Sequence, residues 1–564
     1  MTKPSILAIL AALALAAGLG CGSAEAPGKA TVPTVEAPSL ILTGGAILTM
    51  VQGAPRAEAL AIRGDRVLAV GSVAAVGALA GPRTRVIELH GHTVTPGLVD
   101  AHGHLHGLGV ALETISLRGA ASPEAVAALV GEAAKTRAEG EWITGQGWDQ
   151  NLWKVKEFPR HEVLDAVAPK HPVALERIDG HALWANAAAM RAAGIGRATP
   201  DPPGGKIVRD AAGEATGVLL DRAMHLVSAK MPGEPRAVTE RRILAAAARA
   251  VSLGLTGVHE MGITDSEIAV YRDLARGGRL PLRVYGYLAG AGRVGSLASR
   301  TPDADPEGTA RFVLRGVKLF ADGALGSRGA ALLAPYADDP GNSGLALATP
   351  DELRRAAVMA ASRGFQLAVH AIGDRANREV LDAFEAAGAR GRDLRFRVEH
   401  AQVVSPPDLP RFAALGVIAS MQPTHATSDM PWAGARLGPE RLRGAYAWRS
   451  ILATGARVAF GSDFPVEEVS PLLGLYAAVT RQDAAGNPPG GFLPEQRLTL
   501  EEALHAFTVE PAWAAFAEKH RGTLAPGMVA DVTVFDRALT GDRGLLAAKA
   551  ELVLVSGEVV WPGG

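Results

Sequence analysis

His102 and His104 close an apolar run, PGLVDAHGH (96–104), and their spacing carries chemistry. Residues two apart on a strand point to the same side, so the two imidazoles can converge on one ion. Three further apolar runs end in the same kinds of residue: FQLAVH at His370, FRVEH at His400 and RVAFGSD at Asp463. Imidazole and carboxylate suit zinc and related divalent metals, and such sites also accept manganese, iron or nickel. A lone histidine at a strand end is more often a hydrogen-bonded structural residue. Four histidines and an aspartate, each ending an apolar run, read instead as a metal site. Lys318 lies within another run, LRGVKLF (314–320), where a core-facing ammonium would be costly to leave unpaired. As an ammonium it cannot bind a metal; it reads as a partner of Asp322 or Glu399, or as an outward-facing lysine.

Bringing these residues to one place requires parallel strands. With LTGVHE (255–260), LRVYGY (282–287) and VIASMQ (417–422), the chain has eight apolar runs, most of them separated by helical segments. One such segment opens at Thr349-Pro350-Asp351-Glu352, with a capping threonine, proline at the first helical position and glutamate at the capping-box position, and runs to Gly364. Apolar runs alternating with helices predict a parallel sheet covered by helices, and eight of them predict a (β/α)₈ barrel over residues 96–522. A doubly wound sheet is the alternative, but no Gly-rich first turn is present. Residues 107–240 exceed any ordinary connection and read as an inserted subdomain or lid. Shorter insertions follow at 321–349, 423–446 and 464–496. All lie after strand C-termini, where barrel enzymes build their active sites. Short β-rich runs at both ends predict one small β domain from residues 39–95 and 523–564.

Composition narrows the class further. A net charge of −1 over 564 residues argues against a nucleic-acid partner. The single cysteine excludes a disulfide scaffold and any Cys-rich zinc site. Lys3, the apolar stretch 6–20 and Cys21 together describe an export signal, too short for a membrane span of about 20 residues. The segment 1–21 resembles a bacterial lipoprotein signal, although Gly18 stands where leucine is usual; a plain secretory signal is the alternative. Residues 22–38 are small, polar and proline-containing, and read as a tether. The expectation is an exported protein on the periplasmic side, touching the membrane only through a lipid on Cys21.

The strings TPGLVDAHGHL, GVKLFADGALGSRGA, LAVHAIGD, RVEHAQ and VAFGSDFPVE resemble the amidohydrolase superfamily. More narrowly they resemble its amidohydrolase-3 branch, which includes N-substituted formamide deformylases. ITGQGWDQNLW (143–153), residues 164–186 and GTLAPGMVADVTVFD (522–536) match that branch too, so the resemblance spans residues 39–561. It implies a distorted (β/α)₈ barrel beside a small β-sandwich made from both chain ends. It implies that His102 and His104 bind one metal, that His370 and His400 bind a second, and that Asp463 ligates the first and accepts a proton. In binuclear members the lysine aligned with Lys318 is carbamylated and bridges two metals, commonly zinc; other members hold one metal.

The expected activity is hydrolysis of a non-peptide C–N bond in a small molecule: an amide, an N-substituted formamide or a cyclic amide. Metal-activated water attacks while Asp463 acts as general base and then general acid. Deamination of a nitrogen heterocycle and a non-catalytic exported binding protein are the alternatives. Further candidates for the substrate pocket are His259 at the end of the second run, Asp322 and Arg328 after Lys318, and His425 after the seventh run. In the insertion, Trp148, Asp149 and His181 read as lid elements facing the pocket. Trp153 and Trp432 could add apolar walls or be packing. Oligomeric state is not readable.

Overall fold

A computed structural model describes residues 36–290 and 294–562. The export signal, Cys21 and most of the tether therefore lie outside the described residues. All eight apolar runs form strands: β1 Leu98–Gly103, β2 Leu255–Ile263, β3 Arg283–Ala289, β4 Phe312–Phe320, β5 Gln366–Ala371, β6 Arg397–His400, β7 Ile418–Met421 and β8 Val458–Phe460. They pair in parallel and in sequence order from β1 to β8. The ends of the sheet meet just past β8, where the Asp463 amide donates to the His102 carbonyl at 2.7 Å. Asp100 on β1 reinforces the closure by accepting from the Ser462 amide and hydroxyl. The result is a nearly closed (β/α)₈ barrel, with all C-terminal strand ends on one rim.

The helix Pro350–Arg363 shows how local chemistry builds the outer layer. Thr349 and Glu352 form a reciprocal capping box at its start, and Gly364 ends it at φ 73°, a conformation glycine adopts without a Cβ penalty. Leu353, Ala356, Ala357 and Ala360 form its buried face.

Both chain ends build a second sheet. Its order is Glu558–Trp561, Ala550–Val555, Val532–Phe535, Thr93–Pro96, Leu40–Leu48, Arg56–Arg63 and Arg66–Gly71, with Arg85–Glu88 paired in parallel to Leu40–Leu48. A register shift between Thr43 and Ile47 lets Leu40–Leu48 pair with Arg85–Glu88 along one half and Thr93–Pro96 along the other. Leu42, Leu60, Val94, Val532 and Leu554 share its core.

A third sheet falls between β1 and β2. It runs Gly205–Arg209, Ala215–Asp221, Ala182–Ala185, Val173–Arg177, Ile143–Trp148 and Ile115–Ser116. Trp148, Trp153 and Trp184 fill one of its faces, their ring centroids 6.0–6.4 Å apart. Trp148 is fully buried, and its indole N–H donates to the Leu175 carbonyl at 2.9 Å. Trp148 and Trp153 are therefore core of the insertion and not pocket walls. Among the described residues no helix is long and apolar enough to cross a membrane.

Candidate metal centre

Four barrel strands or the turns after them deliver the candidate ligands to one rim. His102 is inside β1, whereas His104 lies one residue past it, preceding the helix Leu105–Glu113. His370 is in β5 and His400 is the last residue of β6. Asp463 lies three residues beyond β8, in the turn that closes the barrel. His400 and Asp463 have φ of 72° and 62°, a left-handed backbone that non-glycine residues adopt only when their surroundings impose it. Such outliers concentrate at functional sites, and here both fall on candidate ligands.

Asp463 is the hub. Its Oδ1 is 3.1 Å from His104 Nε2 and 3.4 Å from His102 Nε2, and its Oδ2 is 3.4 Å from His425 Nε2. Two groups of ligand atoms lie within 4.8 Å of one another, His102–His104–Asp463 and His400–His425–Asp463, with Asp463 in both. The His370 ring stands 4.7 Å from that of His400. Its Nε2 turns toward Asp322 (3.6 Å) and the Gly323 carbonyl (3.5 Å), and its Nδ1 has no partner among the described residues.

The tautomers of two ligands are set from behind. His102 Nδ1 contacts Glu399 Oε2 at 2.6 Å, and His400 Nδ1 contacts Gln422 Oε1 at 2.8 Å. Both oxygens can only accept, so each Nδ1 carries the proton and each Nε2 offers a lone pair. Burial lowers His102 to about 4, with the Lys318 ammonium adding in the same sense, and burial also holds His370 and His400 well below the ordinary histidine range. Neutral imidazoles with lone pairs facing a shared carboxylate are the donor set a divalent cation requires. Burial alone would raise Asp463, but hydrogen bonds from His104 and His425 hold it well below the carboxylate range. His425 differs from the ligand histidines. Asp463 and Glu467 outweigh its burial and push it up to about 10, so it donates to Asp463 and is a poorer ligand than His400.

Lys318 is buried inside the barrel, so it is not outward-facing. Neither Asp322 nor Glu399 pairs with it: Asp322 accepts from the amides of Ala331, Ile372 and Gly373, and Glu399 is held by Arg397. Its Nζ instead stands 3.3 Å from His102 Nε2 and 4.8 Å from the Phe320 ring. Burial lowers it to about 8.

Beneath the ligands, inside the barrel, Arg397 forks onto Glu399 at 2.7 and 2.9 Å. It also donates to His259 Nδ1, Tyr287 Oη, Ser420 Oγ and the Ala101 carbonyl. His259 is thus fixed below the centre, against Tyr285 and Tyr287, and does not line the rim. Arg397 and Gln422 carry no role in the sequence reading, and Glu399 enters it only as a possible partner of Lys318. A signal was present: a central parallel strand is normally apolar throughout, and Arg397 and Glu399 are two apart in one.

The other candidates divide. His181 reaches the centre from the insertion, its ring 5.0 Å from His370 and its Nδ1 2.6 Å from Asp221 Oδ1. Asp221 outweighs burial and pushes His181 up to about 9. A turn through Gly180, at φ 71°, presents it. Asp149 pairs with Arg177 at 2.5 Å and caps residues 150–152, so it braces the insertion. Arg328 pairs with Asp338 at 3.0 Å at the partly exposed edge, away from Asp322. Trp432 is partly buried and packs beside Arg436.

Residues 85–561 match the amidohydrolase family. The chain is 36% identical over 524 residues to the protein LONG AFTER FAR-RED 3 of Arabidopsis thaliana, covering 89% of this chain and 88% of that protein. It is 31% identical over 501 residues to N-substituted formamide deformylase of Arthrobacter pascens, covering 85% and 90%. Among solved structures it resembles an uncharacterised metal-dependent hydrolase from Pyrococcus furiosus, with a TM-score of 0.70, 31% identity, and 88% and 99% of the two chains covered. A strand-ordered parallel barrel with histidines and an aspartate on its rim, joined to a family match over most of its length, makes this chain a hydrolase that belongs to the amidohydrolase family.

Proposed function

We propose that this enzyme cuts a non-peptide C–N bond, in an amide, N-substituted formamide or cyclic amide, with divalent metal held by His102, His104, His370, His400 and Asp463. Similarity to a formamide deformylase supports the substrate class. The observation that carries the reading is the placement of the Asp463 carboxylate, with Oδ1 toward one histidine pair and Oδ2 toward His425. A divalent cation held by these residues, zinc first, would supply Lewis acidity toward a carbonyl and toward water near neutral pH. The chain's own residues do the rest. Asp463 takes the proton of the attacking water and returns it to the departing nitrogen, a contribution on the order of 10²–10⁴ in rate. His425, protonated and hydrogen-bonded to Asp463, orients that carboxylate. Glu399 and Gln422 keep the Nε2 lone pairs of His102 and His400 on the site.

Lys318 fits a bridging carbamate. It is buried beside His102 with no carboxylate paired to it among the described residues. Burial also leaves part of it as the neutral amine that adds carbon dioxide.

The Asp463→Asn variant tests the proton transfer. It should lose at least about 100-fold in kcat on any amide the wild type turns over, with a well-folded barrel; an unchanged kcat would remove Asp463 from that role. Export, with a lipid on Cys21, completes the proposal. Membrane-fraction protein should become soluble in a Cys21→Ala variant, and equal solubility of the two would refute the anchor.

A further inference from the structure

One strand of the insertion carries a carboxylate that neither the ligand cluster nor the proton transfer at Asp463 uses. In Val173–Arg177, Glu176 is the only exposed position. Leu175 belongs to the tryptophan-filled core, so strand alternation turns Glu176 to the opposite face of the sheet. Solvent reaches its side chain. Its Oε1 lies over the Gly180 turn that presents His181; a Cβ at Gly180 would stand 3.2 Å from it. Asp179, His181 and His104 are its electrostatic neighbours, and burial pushes it up to about 7. Among the described residues it has no ion pair and no hydrogen-bond donor. Asp149 and Asp179, by contrast, both pair with Arg177.

A second group stands open at the same place. Phe320, the last residue of β4, is 39% exposed although it lies inside the enzyme's rim. Its ring is 5.2 Å from His370 and 6.4 Å from His181. His181 therefore touches the aromatic ring and also feels the Glu176 carboxylate. An exposed aromatic and an unpartnered carboxylate thus both border His181, which stands beside the candidate ligand His370. The Glu176 carboxylate has no cationic partner among the described residues, and an ammonium or N–H donor on the substrate would supply one.

We propose that Glu176 and Phe320 select the substrate: Phe320 covers an apolar part beside the scissile amide, and Glu176 receives a primary ammonium at its far end. The substrate class is thus an amide or formamide that carries a second, basic amine. This inference rests on the C–N hydrolase reading above.

The test compares two probes of similar size on the metal-loaded enzyme, N-(4-aminomethylbenzyl)formamide and N-(4-ethylbenzyl)formamide. Binding of the corresponding amines, p-xylylenediamine and 4-ethylbenzylamine, is measured beside turnover by calorimetry. Wild type should prefer the cationic formamide by about 10-fold or more in kcat/KM, as a charge-assisted hydrogen bond implies. In Glu176→Gln, of the same size without the charge, the ratio should fall to about 1 through KM, with the diamine's binding advantage lost as well. Phe320→Ala should weaken both probes alike. A ratio unchanged in Glu176→Gln would overturn the inference, as would equal losses in kcat on both probes, which would make Glu176 part of the chemistry. If wild type turns over neither formamide yet binds the diamine in a Glu176-dependent way, the hydrolysis reading fails and the recognition stands. If it binds neither amine preferentially, the recognition fails.

Discussion

Glu399 separates holding a metal from using one. It touches no open space, yet it fixes the proton on His102 Nδ1 and is itself clamped by Arg397. Partners of this kind typically change metal affinity 10–100-fold. Glu399→Gln should therefore weaken metal retention about 10–100-fold in a chelator competition. Gln422→Leu, which leaves no buried charge unpaired, should act similarly through His400; unchanged retention in both would show that the tautomers are not set from behind. At this scale the sequence was generous about ligands and silent about their supports. His102, His104, His370, His400 and Asp463 stand out as candidate ligands because polar residues ending apolar runs are anomalous. Glu399 stands 297 residues from His102, and no local pattern links them. Trp148 was misjudged because a strand alternates sides: the turn after it approaches the barrel while the indole itself packs inward.

The elements were read more easily, since their determinants are local. All eight barrel strands follow from apolar runs, and the helix Pro350–Arg363 begins and ends at the residues its capping chemistry names. Thr349→Ala removes a side chain that accepts from the Glu352 amide and breaks the reciprocal bond, so it should cost about 1 kcal/mol. A measurable drop in the urea midpoint with unchanged slope is expected; no drop would mean the cap contributes nothing beyond solvent. The strand ends were harder. Asp463 was expected at a strand end and lies three residues beyond β8, in the following turn. That same turn carries the amide that closes the barrel onto β1.

Across the whole molecule, buried ion pairs join what distant segments build. Arg283 at the start of β3 forks onto Asp531 of the terminal sheet region at 2.6 and 2.9 Å and also donates to Ser556. In the insertion, Arg177 packs against Gly326 in the loop after β4. Removing one member of a buried pair costs about 3–5 kcal/mol. Asp531→Ala should therefore destabilise strongly, and Arg283→Met with Asp531→Leu much less; equal damage would show that the pair itself is unimportant. Burial would raise Asp531, but Arg283 outweighs it and holds the carboxyl below the usual range. Its stabilisation is thus complete above about pH 4 and is lost as the pH falls further. Acid should accordingly flatten the difference between wild type and the Asp531 variant. Such pairings across 248 residues lie beyond sequence patterns, because neither partner carries a local signature.

Whether the rim is a metal centre is read straight from elemental analysis. The enzyme would be purified without chelator from medium supplemented with bicarbonate, beside the Lys318→Ala variant. Close to two divalent metals per chain are expected, falling in Lys318→Ala with loss of amide hydrolysis. A well-folded wild-type chain that holds no metal would contradict a metal centre at the rim.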